Sequence, residues 1–217
     1  MSERRPGRFS DRHDAGRRLA ALLLPLAAEQ PVVIGLPRGG VPVAEKIAAS
    51  LGATLEVLAV RKIGAPGNPE YGIGAIAEDG TRVLDREAVA ALGIDGDALE
   101  AIVARESAEL RRRVEAYRGN RLATSLQGRA VIVVDDGVAT GVTDTAALRA
   151  VRRHRPQRLT LAVPVCAPDS AARLRAEADE LVCLLEPEQL YGVGQWYEDF
   201  TQVSDAEVLA ALARAAS

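Results

Sequence analysis

Aromatic, thiol and imidazole side chains are scarce in this 217-residue chain: it holds one Trp, four Tyr, two Phe, two Cys and two His. Each scarcity excludes something. Cys166 and Cys183 both fall in apolar, strand-like runs, so they make no disulfide framework and read as buried thiols of a reducing compartment, which places the expected location in the cytoplasm. His13 and His154 stand far apart, at no metal-ligand spacing. No apolar run reaches the roughly 20 residues that a membrane-crossing helix needs. A formal net charge of -3 leaves no basic face, so nucleic acid is not an expected partner. Lysine is rare too. Lys46 and Lys62 are the only two, all other basic residues being arginine, and a lysine kept in a glycine-rich stretch therefore stands out.

What is present is a large apolar fraction, 48% of residues. At this length that supports one sizeable core, and the expectation is a single domain over 1–217 with its core at about 31–186. The N-terminal helix and residues 187–217 are read as additions. Arg17 and Arg18 before an apolar stretch superficially suggest a secretory leader. Asp11 and Asp14 contradict it, and Leu19, Leu22, Leu23 and Leu26 recur at i, i+3, i+4 and i+7, the stripe of an amphipathic helix over roughly 11–28.

Further along, predicted strands and helices alternate. Strands are expected at Val32 to Leu36, Leu55 to Val60, the signature run below, Leu159 to Val165 and Leu181 to Leu185. Helices are expected at Val41 to Leu51, Asp97 to Tyr117, Thr143 to Arg153 and Ser170 to Ala178. Shorter strands are read at Gly72 to Ala77 and Thr81 to Leu84. Alternation of this kind predicts an α/β fold with a mainly parallel sheet flanked by helices.

The most informative run is VIVVDDGVATGVT, Val131 to Thr143. Unalternating β-branched residues mark a strand covered on both faces. It delivers Asp135 and Asp136 to its C-terminal end, where open α/β sheets bind ligands. A tight loop follows, Gly137, Val138, Ala139, Thr140, Gly141, Val142 and Thr143, and opens a helix. Glycines let backbone N–H groups turn inward, the threonines add hydroxyls, and the helix dipole favours an anion. Paired carboxylates beside a phosphate cradle suit the vicinal hydroxyls of a ribose 5-phosphate. A Walker A loop would need a lysine before the Ser/Thr, and a dinucleotide fingerprint would place its acid after the loop.

This run resembles the phosphoribosyl diphosphate (PRPP) signature of the type I phosphoribosyltransferases. The resemblance implies a Rossmann-like core with a small hood from the chain ends. It implies that Asp135 and Asp136 hold the ribose 2- and 3-hydroxyls, and that Gly137 to Thr143 hold the 5-phosphate. Many purine-specific members carry an acid where this chain has Ala139, so the general base and the acceptor stay open. A second glycine turn, Pro37-Arg38-Gly39-Gly40, also follows a strand and opens a helix, and it is similar to the family's pyrophosphate loop. Arg38 then joins Asp135, Asp136 and Lys62 as an expected catalytic residue.

Arg61 to Glu78, rich in Gly and Pro and led by Arg61 and Lys62, reads as a mobile lid carrying cations to a diphosphate. Tyr191, Trp196, Tyr197 and Phe200 concentrate most of the aromatics in one place. They read either as a hood that stacks a planar acceptor, with Trp196 and Tyr197 as its platform, or as a satellite core. The resemblance further implies Mg²⁺ as cofactor, bridged to Asp135 and Asp136 mainly through substrate and water, a small-molecule acceptor, and a homodimer. The expected function is phosphoribosyl transfer from PRPP. The alternatives are a PRPP-sensing regulator without catalysis, and a hydrolase or transferase using a non-nucleobase acceptor.

Overall fold

The computed structural model describes residues 7–119 and 124–215. In chain order the elements are α1 (Arg12–Leu23), a 3-10 turn (Leu24–Glu29), β1 (Val32–Gly35), α2 (Gly40–Leu51), β2 (Thr54–Val57), β3 (Val60–Ala65), β4 (Asn68–Ala77), β5 (Arg82–Leu84), α3 (Arg86–Ala91), α4 (Gly96–Arg118), β6 (Ala130–Val134), α5 (Val142–Arg153), β7 (Arg158–Val165), α6 (Pro168–Leu174), β8 (Glu180–Leu185), a second 3-10 turn (Val193–Trp196) and α7 (Asp205–Ala215).

Five strands form one sheet in the order β2-β1-β6-β7-β8, with every neighbouring pair parallel. Successive residues of the central strands point to opposite faces, and both faces are covered. Val33, Ile132 and Val134 pack with Leu19, Ile47, Val208 and Leu212 of α1, α2 and α7. Val32, Ile34, Val131 and Val133 pack with Leu148, Leu159 and Leu174 on the α5 and α6 side. Burial on both sides is why the signature run shows no polar alternation. The leucine stripe of α1 faces the first of these cores through Leu19 and Leu23, continued by Leu26 of the 3-10 turn, while Leu22, at the edge of the stripe, stays exposed.

The order places a topological switch point between β1 and β6. From β1 the chain crosses to β2 on one side, and from β6 it crosses to β7 on the other. The loops leaving two such strands diverge and open a crevice at their C-terminal ends, the usual ligand position of open parallel sheets. Both glycine turns singled out above leave these two strands.

The strands expected at Gly72 to Ala77 and Thr81 to Leu84 are present, and the rest of Arg61 to Glu78, expected to be a mobile lid, is folded with them. β3, β4 and β5 form a separate antiparallel sheet, and its core of Ile63, Ile73 and Ile76 packs on Ile102, Val103 and Leu110 of α4. Its glycines serve close packing rather than hinging. A Cβ on Gly74 would come within 2.4 Å of the Val83 carbonyl, and one on Gly72 within 2.6 Å of Lys62 Cε. The expected strand Leu55 to Val60 is divided for the same reason. β2 ends at Val57, and the chain passes to the second sheet at Ala59, whose carbonyl accepts from the Glu78 N–H and whose N–H donates to the Glu78 carboxylate, each at 3.1 Å. Two helices, α3 and α7, are additions to the sequence reading; Asp85 caps α3 by accepting from the Ala88 N–H at 2.9 Å.

Candidate functional site

The two loops at the switch point are in contact. After β1, the Leu36 N–H donates to the Val134 carbonyl at 2.9 Å, which draws the Pro37–Gly40 turn over the end of β6. The Pro37–Arg38 peptide bond is cis. At Gly39 an added Cβ would lie 1.9 Å from Asp136 Oδ2, and at Gly40 one would lie 2.4 Å from the Val134 carbonyl and 2.9 Å from Asp135 Cα. Only hydrogen fits at either position, so the two glycines are what let the turn seat on the acid pair.

Asp135 and Asp136 are in direct contact. Asp135 Oδ1 accepts the Asp136 N–H at 2.8 Å. Burial pushes the Asp135 carboxyl well above its ordinary range, and the nearby Asp144 and Asp136 charges add to the shift. Asp136 is raised as well, chiefly by burial, with the Arg12 guanidinium opposing. A third acid, Asp144 in the first turn of α5, is only 2% exposed, and its Oδ1 has no hydrogen-bond partner among the described residues. Burial pushes its pKa up to about 7.

The loop after Asp136 is held from outside. Val138 pairs with the end of β7, its N–H donating to the Val165 carbonyl at 2.8 Å and its carbonyl accepting from Ala167 at 3.0 Å. Ser170 Oγ, buried on α6, donates to the Ala139 carbonyl at 2.7 Å, and Arg173 donates to the Thr140 carbonyl at 3.1 Å. With its carbonyls so engaged, the loop turns through Gly141, at φ +71°, into α5. Among the described residues the N–H groups of Ala139, Thr140, Gly141, Val142 and Thr143 donate to no backbone carbonyl. Together with the helix terminus they form a concavity of unpaired donors, the chemistry that suits an anion.

The expected cations divide. Arg38 stands at the mouth, its Nη1 3.8 Å from Asp205 Oδ1, a distance too long for a hydrogen bond. Arg61 does not reach toward the loops: it donates to Glu106 at 2.8 Å and lies 3.6 Å from Glu109, which fixes it to α4. Lys62 lies on β3 with its stem over Gly72, in a recess shared with Arg105, Glu106 and Arg113. His154 lines a separate cavity of about 310 Å³ at the β2 edge that includes none of the loop residues.

Within the aromatic cluster Tyr197 and Phe200 belong to a satellite core, while Tyr191 is exposed. Tyr197 is 2% exposed, lies 5.3 Å from Phe9 and 4.9 Å from Phe200 between ring centres, and donates its hydroxyl to the Asp136 carbonyl at 2.6 Å. The Arg12 guanidinium covers Phe200 at 3.9 Å. The ring faces expected for an acceptor at Tyr197 are therefore occupied by the protein itself. Trp196 is half-buried, with Nε1 unpartnered among the described residues. The chain ends are stitched here, the Phe9 N–H donating to the Trp196 carbonyl and the Glu198 N–H to the Phe9 carbonyl, each at 2.8 Å.

Arg12, Asp144, Ser170 and Arg173 were not legible as site residues. Arg12 meets a partner 124 positions away, and no local pattern encodes that. Asp144 reads as an ordinary acid in a helix first turn; only the packing of α5 on the sheet buries it.

Fold and geometry define an open parallel α/β protein with, at its topological switch point, a carboxylate pair and a loop of backbone donors unpaired among the described residues. The chain belongs to the phosphoribosyl transferase domain family, which it matches over residues 11–197. It is 49% identical over 207 residues to a protein of Mycobacterium tuberculosis, strains H37Rv and CDC 1551, named provisionally as a phosphoribosyl transferase. That alignment takes in 95% of this chain and 47% of the relative, so the chain spans about half the length of these relatives. The crystal structure of TT1426 from Thermus thermophilus superposes with a TM-score of 0.80 at 47% identity, covering 95% of this chain and 98% of that one.

Proposed function

We propose that this protein transfers the 5-phosphoribosyl group of PRPP to a small-molecule acceptor and releases diphosphate. The observation that carries the reading is the seating of the Pro37–Gly40 turn on Asp135 and Asp136, with no room for a Cβ at Gly39 or Gly40. One ligand with a phosphate at each end and a diol between them would span both loops.

In this reading the ribose hydroxyls donate to Asp135 and Asp136. The N–H groups of 139–143 and the Thr140 and Thr143 hydroxyls donate to the 5-phosphate. Arg38, with Lys62 of the β3–β4 hairpin, faces the diphosphate, which leaves as the C1–O bond breaks through an oxocarbenium-like state, while Arg61 stays paired with Glu106 on α4. The β3–β4 packing requires the hairpin to approach as a body if Lys62 is to make contact. The donor set suits Mg²⁺, since Asp135 and Asp136 offer hard oxygens. Among the described residues no group of three or more His, Cys, Asp or Glu gathers in metal-holding geometry, so the ion would be held largely by substrate oxygens and water and would supply charge neutralisation of the diphosphate.

The occupied faces of Tyr197 and Phe200 shift weight from a stacked nucleobase toward an acceptor recognised by other means, which favours the non-nucleobase alternative over a base-specific enzyme. A MgPRPP turnover screen against purines, pyrimidines and simple amines tests both. Diphosphate release dependent on an acceptor is the expected result, and tight MgPRPP binding without turnover on any panel would favour a sensor. Calorimetry on Asp136→Asn checks the donor site: MgPRPP affinity should fall about tenfold or more, since a charged acceptor of a ribose hydroxyl is replaced by a neutral one.

A further inference from the structure

The hood enters the proposed ribose site through one side chain. Arg12 opens α1 and is 9% exposed. Its Nε donates to Asp136 Oδ2 at 2.7 Å and its Nη1 to the Thr201 carbonyl at 2.8 Å, while Phe200 supports the guanidinium plane at 3.9 Å. Tyr197 grips the same residue at its backbone carbonyl. On the other side, the Gly39 backbone closes on Oδ2. Oδ2 is thus boxed between Gly39 and Arg12, and the same carboxyl also meets the Asp135 side chain, so its orientation is set by the protein on every side.

We propose that Arg12 is a positioning residue for MgPRPP: by holding Asp136 Oδ2 it sets the orientation in which the carboxylate meets a ribose hydroxyl, and it makes ribose binding conditional on the hood being docked. The inference rests on Asp136 as a ribose-binding acid. A planar guanidinium is required rather than any cation, because the same group must donate in two directions and lie flat on Phe200. The contact is also the one ion pair among the described residues that joins a chain-end element to the acid pair.

The test is calorimetric titration of MgPRPP into the full chain, wild type against Arg12→Ala and Arg12→Lys, with thermal midpoints recorded for each. Arg12→Ala should weaken binding by about tenfold or more, and Arg12→Lys should recover only part of it. Low-millimolar guanidinium chloride should restore the affinity of Arg12→Ala to within about threefold of wild type by refilling the vacated site, whereas equal sodium chloride should not. A merely structural role would not respond to guanidinium. Unchanged or tighter binding in folded Arg12→Ala would overturn the proposal, as would a loss that guanidinium leaves in place. Should Arg12→Ala not fold, Arg12→Lys decides: several-fold weaker binding at a wild-type thermal midpoint supports the proposal, and wild-type affinity overturns it. Wild type that fails to bind MgPRPP would instead sink the functional reading on which this rests.

Discussion

Gly39 shows how much a single missing atom decides. Its absent Cβ is the space that Asp136 Oδ2 occupies, so Gly39→Ala must displace either the acid or the turn, and MgPRPP affinity should fall about tenfold or more by calorimetry. Gly52→Ala is the contrasting case. That residue caps α2 at φ +61° with open space around it, so the change should cost only about 1–2 kcal/mol of stability through backbone strain and leave ligand binding alone. Asp144 gives a prediction of a different kind. Its pKa rises from 3.8 unfolded to about 7 folded, so the folded state binds the extra proton between those values. The stability it contributes is full below about pH 4, is lost as pH rises to about 7, and is flat above. Asn stands in for the protonated acid. Asp144→Asn should therefore be more stable than wild type at pH 8, by roughly a few kcal/mol at most, with the difference vanishing near pH 4 in urea titrations.

At the scale of elements, the parallel sheet was legible because burial on both faces leaves an unmistakable composition. Val131 to Val134 are β-branched without exception and all buried. The β3–β4–β5 unit was legible only in part: Gly72 to Ala77 and Thr81 to Leu84 read as short strands and correspond to the end of β4 and to β5, while β3 and the hairpin read as a lid because glycine stands where side chains would be expected. Gly72 and Gly74 look like hinges in a sequence, yet Gly72 lies under the Lys62 stem and at Gly74 the Val83 carbonyl leaves no room for a Cβ. That unit has its own core, and Ile73 is fully buried within it. Ile73→Ala should cost roughly 2–5 kcal/mol. Hydrogen exchange should show the loss concentrated in β3 to β5 and the adjoining face of α4, with β1, β6 and β7 still protected. Uniform loss of protection would show that the two sheets unfold together.

At the scale of the whole molecule, the two chain ends close over the acids that the sheet presents. Phe9 is 1% exposed and lies against Tyr197, whose hydroxyl reaches Asp136. Phe9→Ala should cost roughly 3–5 kcal/mol. It should also shift the emission of Trp196, the only tryptophan in the chain, as the stitched segment loosens; unaltered emission would mean that Phe9 does not hold the hood. Among the described residues no helix is long and apolar enough to cross a membrane.

The sequence by itself determined the class of fold, the switch-point strands and the two loops, because strand burial, acid placement and glycine turns are local patterns that a chain must spell out in consecutive residues. Tertiary structure alone decided that the loops seat on each other, that Arg61 is fixed to α4, that the aromatic rings pack on one another and on Arg12, and that Arg12 from the first helix closes on Asp136. Those are contacts between segments up to 189 positions apart. They depend on shape and on the exclusion of water, which no short window of sequence records.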